Sequence, residues 1–385
     1  MKISRKLAGI LALAVAAGLG LEAAAQVRVG VIVSGTGPTA FVGIPQKNAV
    51  ALLPRKIGDL SLEYIVFDDA SDPTQSVQLL KKLTAEHRID VLVGPSGSPN
   101  GVAVGQMIAE TQTPMLAPIG NSLLVLPMDE KKRWVFKTHP NDDIISEGLV
   151  AAMTRRGVKT VGFIGYSDPY GESWHRTFVP MAQKAGIQIV ANERYARQDT
   201  SVIGQVAKLT GAKPDAILVA GVAAGAALPH VQLIDAGYKG TIYHTHGSAS
   251  GSFLQIGGRK VDGALVVGPL LLVLDEIADN VAVKRVAAEF VASYERQFGS
   301  RPPIFGAGTY DAGLLLARAI PEAAKKAKPG TVEFRSALRD ALEGVRNLVA
   351  SQGMITMTPQ DHSGFDSSGR VLLTVKDGKF ALVNE

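Results

Sequence analysis

Chemistry in this chain would have to come from serine, histidine, tyrosine and carboxylates, because its 385 residues include seven histidines and no cysteine. That excludes disulfides, thiolate metal sites, cysteine nucleophiles and a lipid on an N-terminal cysteine. His244 and His246 are two apart, so on a strand they would project to one side. They could be a metal pair, but no third ligand stands clearly near them. Asp68-Asp69 and Asp142-Asp143 are adjacent, and adjacent side chains diverge on a strand or helix. They read as helix caps and solvated turns. A serine hydrolase elbow needs G-x-S-x-G. The nearest strings, GPSGS at 94–98 and GYSDP at 165–169, lack the final glycine. No phosphate-binding G-x-x-x-x-G-K-[ST] is present, and the Gly306-Ala307-Gly308 string has Asp311 where a dinucleotide fingerprint needs its third glycine. What remains is a set of loops rich in Gly, Ser, Pro and Asn, at 34–38, 68–73, 94–99, 118–122, 166–171, 221–225 and 245–248. Such loops expose backbone N–H groups at helix N-termini, which suits an anion such as a carboxylate.

The elements that must position these loops alternate. Apolar strands at 27–33, 62–67, 90–94 and 114–117 are separated by amphipathic helices at 41–55, 74–87 and 98–110. After 134–139 the rhythm restarts, with strands at 160–165, 188–191, 216–220, 241–244 and 264–268. Helices at 142–156, 172–185, 201–210 and 226–236 lie between them. This predicts an α/β fold of two doubly wound parallel-sheet lobes, with ligand at the carboxyl ends of the strands. The last hundred residues differ. Helices at 282–298, 308–326 and 334–342 precede strands at 354–357, 371–375 and 380–383, with Asp377-Gly378 as a hairpin turn. They are too few for a third domain and are expected to complete the first two.

The apolar fraction of 46% and charged fraction of 19% give ample material for a packed core. The net charge of +5 invites a nucleic-acid partner. Residues 1–25 weaken that idea. Lys2, Arg5 and Lys6 precede an apolar run at 7–21, and Ala23-Ala24-Ala25 supplies small residues before Gln26. This is the pattern of a signal peptide, and the run is short for a membrane span. Its removal lowers the net charge to +3, with no cation run longer than Lys131-Lys132-Arg133. No nucleic acid is expected, and an exported chain without a lipid anchor is expected in the periplasm.

Several strings recur in one order: VGVIVSGTGP at 29–38, DDASDP at 68–73, VLVGP at 91–95, Tyr170-Gly171, TYDA at 309–312 and DGK at 377–379. Together they resemble the periplasmic substrate-binding proteins of ABC importers, of the type that includes the Leu/Ile/Val-binding protein. The resemblance covers the whole chain after residue 25. It implies the type I periplasmic binding fold, two lobes joined by three crossovers, with ligand clamped between them. The crossovers fall near 137–141, 269–273 and 350–354. Lobe 1 is then 26–139 plus 271–351, and lobe 2 is 140–270 plus 352–385. The resemblance also implies that Ser98, Gly120 and Asn121 hold a ligand carboxylate and that Tyr170 lies against the ligand. Amino-acid-binding members carry an acid after the strand matching 241–244, where it pairs with the α-ammonium. Here His246 stands in that place. The ligand is accordingly a hydrophobic amino acid or an aromatic or 2-oxo carboxylate. The resemblance implies a monomer without enzymatic activity, cofactor or metal, delivering its ligand to an inner-membrane ABC permease. A ligand sensor feeding a membrane receptor, or an exported hydrolase using Ser96 or Ser98, would be the alternatives.

Overall fold

The computed structural model describes residues 26–384, so the signal peptide expected at 1–25 lies outside the described residues. Strand β1 (Gln26–Val33) buries Val27, Val29, Val31 and Ile32 completely, as a strand covered on both faces must. It is central in a six-stranded sheet ordered β2-β3-β1-β4-β5-β6, with β2 at Lys56–Ile57, β3 at Leu60–Asp68, β4 at Val91–Val93, β5 at Met115–Ala117 and β6 at Val135–Lys137. Every pairing is parallel except the β2–β3 hairpin.

The second sheet is ordered β15-β14-β11-β10-β9-β7-β8. Strands β7 (Thr160–Tyr166), β8 (Gln188–Tyr195), β9 (Ala216–Ala220), β10 (Thr241–His244) and β11 (Leu265–Pro269) run parallel. A separate hairpin joins β12 (Leu348–Ala350) to β13 (Gly353–Ile355). Strands β14 (Arg370–Lys376) and β15 (Lys379–Leu382) add antiparallel to β11. The α/β reading of two doubly wound sheets therefore holds.

Boundaries differ where local chemistry overrides periodicity. The helix expected at 41–55 ends as Ala40–Val50, and residues 51–53 tighten into bonds three residues back, because Pro54 disfavours helix before it. Strand β8 runs four residues past its apolar start, since an edge strand tolerates the polar alternation of 192–194. Strand β6, only three residues long, was not expected as a strand.

The C-terminal hundred residues are divided between the sheets. Leu315, Leu316, Ile320, Phe334, Leu338 and Leu342 share a core with Val27, Val29 and Val31, so two of the late helices cover the first sheet. Ile355, Met357 and Phe365 belong to that same core. The third crossover, expected near 350–354, therefore falls between Phe365 and Arg370. The reason is local: 350–353 is the tight turn of the β12–β13 hairpin, with Gly353 at φ +151, which returns the chain along the first lobe. The segment after β13 then seals the β6 edge. Lys137 N donates to His362 O at 2.8 Å, and the His362 ring stacks on Phe136 at 4.1 Å.

One buried carboxylate organises the site-facing loops of the first sheet. Asp69 accepts from Ser34 Oγ (2.7 Å), Ser71 N (2.9 Å), Ser76 Oγ (2.7 Å) and Asn100 Nδ2 (2.9 Å). Ser34 N in turn donates to Ser96 Oγ at 2.9 Å. The loops after β1, β3 and β4 are thus joined at one point. Asp69→Asn turns one acceptor into a donor that faces other donors. It should lower unfolding free energy by about 2–3 kcal/mol in urea denaturation; an unchanged midpoint would show that the node is not structural.

Candidate functional site

The carboxyl ends of the two sheets line one cavity of ≈ 50 Å³. The first lobe contributes Thr39 and Val42 after β1, Ser96, Gly97 and Ser98 after β4, and Pro118, Ile119 and Gly120 after β5. The second contributes Tyr170, Arg197, Val222, His246 and Gly247, one loop after another. His139 from the first crossover, with Phe305 and Gly308, completes the lining.

The first wall is built to meet an anion. Helix Ser98–Ile108 starts at a Gly97 cap that offers no side chain, so no side chain covers its leading N–H groups. Ser98 is its first residue and is buried. Ser96 Oγ, one proposed hydrolase nucleophile, is engaged as the acceptor of Ser34 N.

The second wall is aromatic. Asp168 caps helix Pro169–Lys184, accepting from Tyr170 N (2.8 Å) and Gly171 N (3.2 Å), and pairs with Arg197 Nε at 2.6 Å. The Arg197 guanidinium lies over the Tyr166 ring at 4.3 Å. Tyr170 OH and Thr245 Oγ1 share a hydrogen bond of 2.8 Å, and burial pushes the phenol pKa up. Gly247 is required here, because a Cβ would stand 2.5 Å from the Tyr170 hydroxyl oxygen.

His244 and His246 do not share a face. Strand β10 ends at His244, and the tight turn His246–Ser248 swings His246 into the cavity while His244 enters the lobe. His244 belongs to a hydrogen-bonded relay whose direction one carbonyl fixes. Lys260 O can only accept, so His230 Nε2 carries the hydrogen at 3.0 Å. Burial lowers the His230 pKa to about 4, so the ring is neutral and its Nδ1 accepts from His244 Nε2 at 2.8 Å. His244, also held neutral by burial, then accepts at Nδ1 from Ser248 Oγ at 3.1 Å. The relay braces from behind the turn that carries His246.

Across the cleft His246 meets Gly120. A Cβ at position 120 would lie 2.8 Å from His246 Nε2, so only glycine permits this approach. The His139 ring meets His246 edge-on at 4.9 Å, and Trp174 lies 5.6 Å away. Beside them the buried Lys137 donates to Gly120 O (2.7 Å), Asn141 Oδ1 (2.6 Å) and Pro140 O (3.3 Å). Burial pulls the Lys137 pKa down to about 8 despite Asp142 nearby. Burial, then the Lys137 charge, lowers His139 to about 4. Burial, His139 and Lys137 together hold His246 well below its usual value. Both imidazoles are therefore neutral, each with one donor and one acceptor. Neither Nδ1 has a partner in the protein.

Four of the five residues expected at the site, Ser98, Gly120, Tyr170 and His246, converge on this cavity. Asn121 does not line it. Its Nδ2 donates to Pro169 O at 2.8 Å and its Oδ1 accepts from Leu123 N at 2.8 Å, so its amide stitches the two walls together. Ser122 adds to that seam: its N–H donates to Asp142 Oδ2 (3.2 Å) and Ser173 Oγ (3.2 Å). Sequence reasoning missed His139, Thr39, Arg197 and Phe305. His139 follows β6, and recognising 135–137 as a strand would have placed it at a carboxyl end. Among the described residues no aspartate or glutamate lines the cavity. Among the described residues no three His, Asp or Glu side chains gather as a metal site.

Known proteins resemble this chain over most of its length. The family described as periplasmic binding protein matches residues 26–379. An extracellular ligand-binding receptor from Rhodopseudomonas palustris HaA2 is 40% identical, with TM-score 0.89 over 93% of this chain and 100% of its own. The Leu/Ile/Val-binding protein homolog 3 of Brucella melitensis is 26% identical over 269 residues, 68% of this chain and 72% of the relative. A leucine-binding protein from Thermotoga maritima, 20% identical, shares the fold with TM-score 0.79 over 93% of this chain and 98% of its own.

The buried titratable groups predict how stability depends on pH. The buried His139, His230, His244, His246 and His362 all have lowered pKa values, whereas burial raises Asp90 and pushes Asp142 and Asp311 up to about 6. Below pH 6.5 the unfolded chain protonates its histidines and the native one does not, so their contribution is lost as pH falls towards 4. The three acids act oppositely as pH falls from 6, because the native state binds their protons first. Five against three leaves a net uptake of about two protons on unfolding near pH 5, or about 2–3 kcal/mol per pH unit. Urea denaturation at pH 6.5, 5.5 and 4.5 should show stability falling with pH; a flat or rising profile would contradict the neutral histidine cluster.

Proposed function

The chain belongs to the periplasmic binding protein family, and from that premise we propose that it is the ligand-binding component of an ABC importer of the branched-chain amino-acid type. On this reading it carries a small aromatic or 2-oxo monocarboxylate that bears no ammonium group. The observation that carries the reading is the absence of any acidic side chain from the cavity lining. An ammonium buried without a carboxylate partner is strongly disfavoured. A carboxylate is well served by Ser98 and the uncapped start of helix Ser98–Ile108. A neighbouring carbonyl oxygen is served by the neutral His246. Val42, Ile119, Tyr170, Val222 and Phe305 supply apolar walls for a ring or branched body.

The two lobes act as bodies that close on the ligand, turning at 137–141, 269–273 and 366–370. The protein is exported through residues 1–25, works in the periplasm as a monomer and presents its closed form to an inner-membrane permease. It catalyses nothing and needs no cofactor.

The test compares acids that differ only at Cα: 4-methyl-2-oxopentanoate with leucine, and phenylpyruvate with phenylalanine, with an aryl carboxylate alongside. Thermal unfolding and titration calorimetry should show stabilisation by the oxo or aryl acids, about 2.7 kcal/mol at a hundredfold excess over Kd. Each amino acid should bind at least about tenfold more weakly than its oxo partner. Tighter binding of the amino acids would overturn the reading.

A further inference from the structure

Behind His139 and His246 lies a second cavity, of ≈ 10 Å³, lined also by Ile145, Pro269, Gln352, Asp366 and Arg370. That volume holds about one water molecule. Among the described residues, the two histidines alone belong to both linings. Their rings form a partition: His139 meets His246 edge-on, and Trp174 backs His246. Its position follows from Gly120, whose missing Cβ is the space that His246 Nε2 approaches. A ligand carboxylate lying along the Ser98 and Gly120 loops would present its Cα substituent to this partition.

We propose that the His139–His246 pair is a size filter for the group on the ligand's Cα, admitting hydrogen or an oxo group and excluding alkyl groups. This rests on the carboxylate reading above. The partition is fixed on both sides. His139 follows the anchored Lys137 by two residues, and the His230–His244–Ser248 relay holds the turn that carries His246. Because both rings line the front and the back cavity, removal of either is expected to open the front cavity towards the back one. The filter works by volume, and the unpartnered Nδ1 atoms are not needed for it.

The experiment titrates the full-length mature protein with arylacetates carrying hydrogen, oxo, methyl, ethyl or propyl at C2. Wild type should lose about tenfold in affinity for each added carbon beyond the oxo compound. His139→Ala and, independently, His246→Ala should gain at least about tenfold for the ethyl and propyl acids relative to the unsubstituted one. His139→Gln, which fills similar space, should keep the wild-type order. The proposal is overturned if folded Ala variants, checked by thermal melting, keep the wild-type order, or if His139→Gln shifts it as the Ala variants do. Failure of wild type to bind any acid of the series would instead refute the carboxylate reading on which the filter rests.

Discussion

The site depends on one buried ammonium. Lys137 stands at the end of β6 with no exposure, and three oxygens satisfy it: Gly120 O, Asn141 Oδ1 and Pro140 O. A buried cation without such partners would be costly. These three bonds fix the β5 loop against the first crossover, so the segment that links the lobes is also the floor of the site. The same charge helps keep His139 and His246 neutral. Neutral rings, set beside serines and a helix start, leave the cavity lining without a carboxylate among the described residues.

The close approach of the two walls follows from absent side chains. Gly120 lets His246 reach across, and Gly247 makes room for the Tyr170 hydroxyl. Asn121 and Ser122 then bind the first wall to Pro169, Ser173 and Asp142 of the second. The seam lies beside the cavity and ties its two walls together. Asp69 plays the matching part within the first lobe, holding three loops in register from below.

Much of this was legible in the sequence. The alternation of buried strands and amphipathic helices identified both sheets, and the Gly- and Ser-rich loops identified their ligand-facing ends. The five residues named from family likeness were near the site, because loop position follows from strand order. What failed to read was whatever depends on tertiary partners. Asn121 carries an ordinary loop amide, and only the proximity of Pro169 O makes it a seam. His139 follows a three-residue strand, too short for any period. The His244 and His246 pair reads as one face on strand spacing, but the strand stops between them. Family likeness puts the last crossover near 350–354, whereas Met357 and Phe365 are still buried in the core of the first lobe.

On the proposed reading, the chemistry at position 246 decides against an ammonium. Calorimetric titration of His246→Glu with leucine and 4-methyl-2-oxopentanoate tests it most directly, since it restores a carboxylate where the amino-acid-binding pattern has one. The variant should reverse the wild-type preference, gaining at least about tenfold for the amino acid and losing affinity for the oxo acid. A variant that folds and keeps the wild-type order of affinities would contradict it.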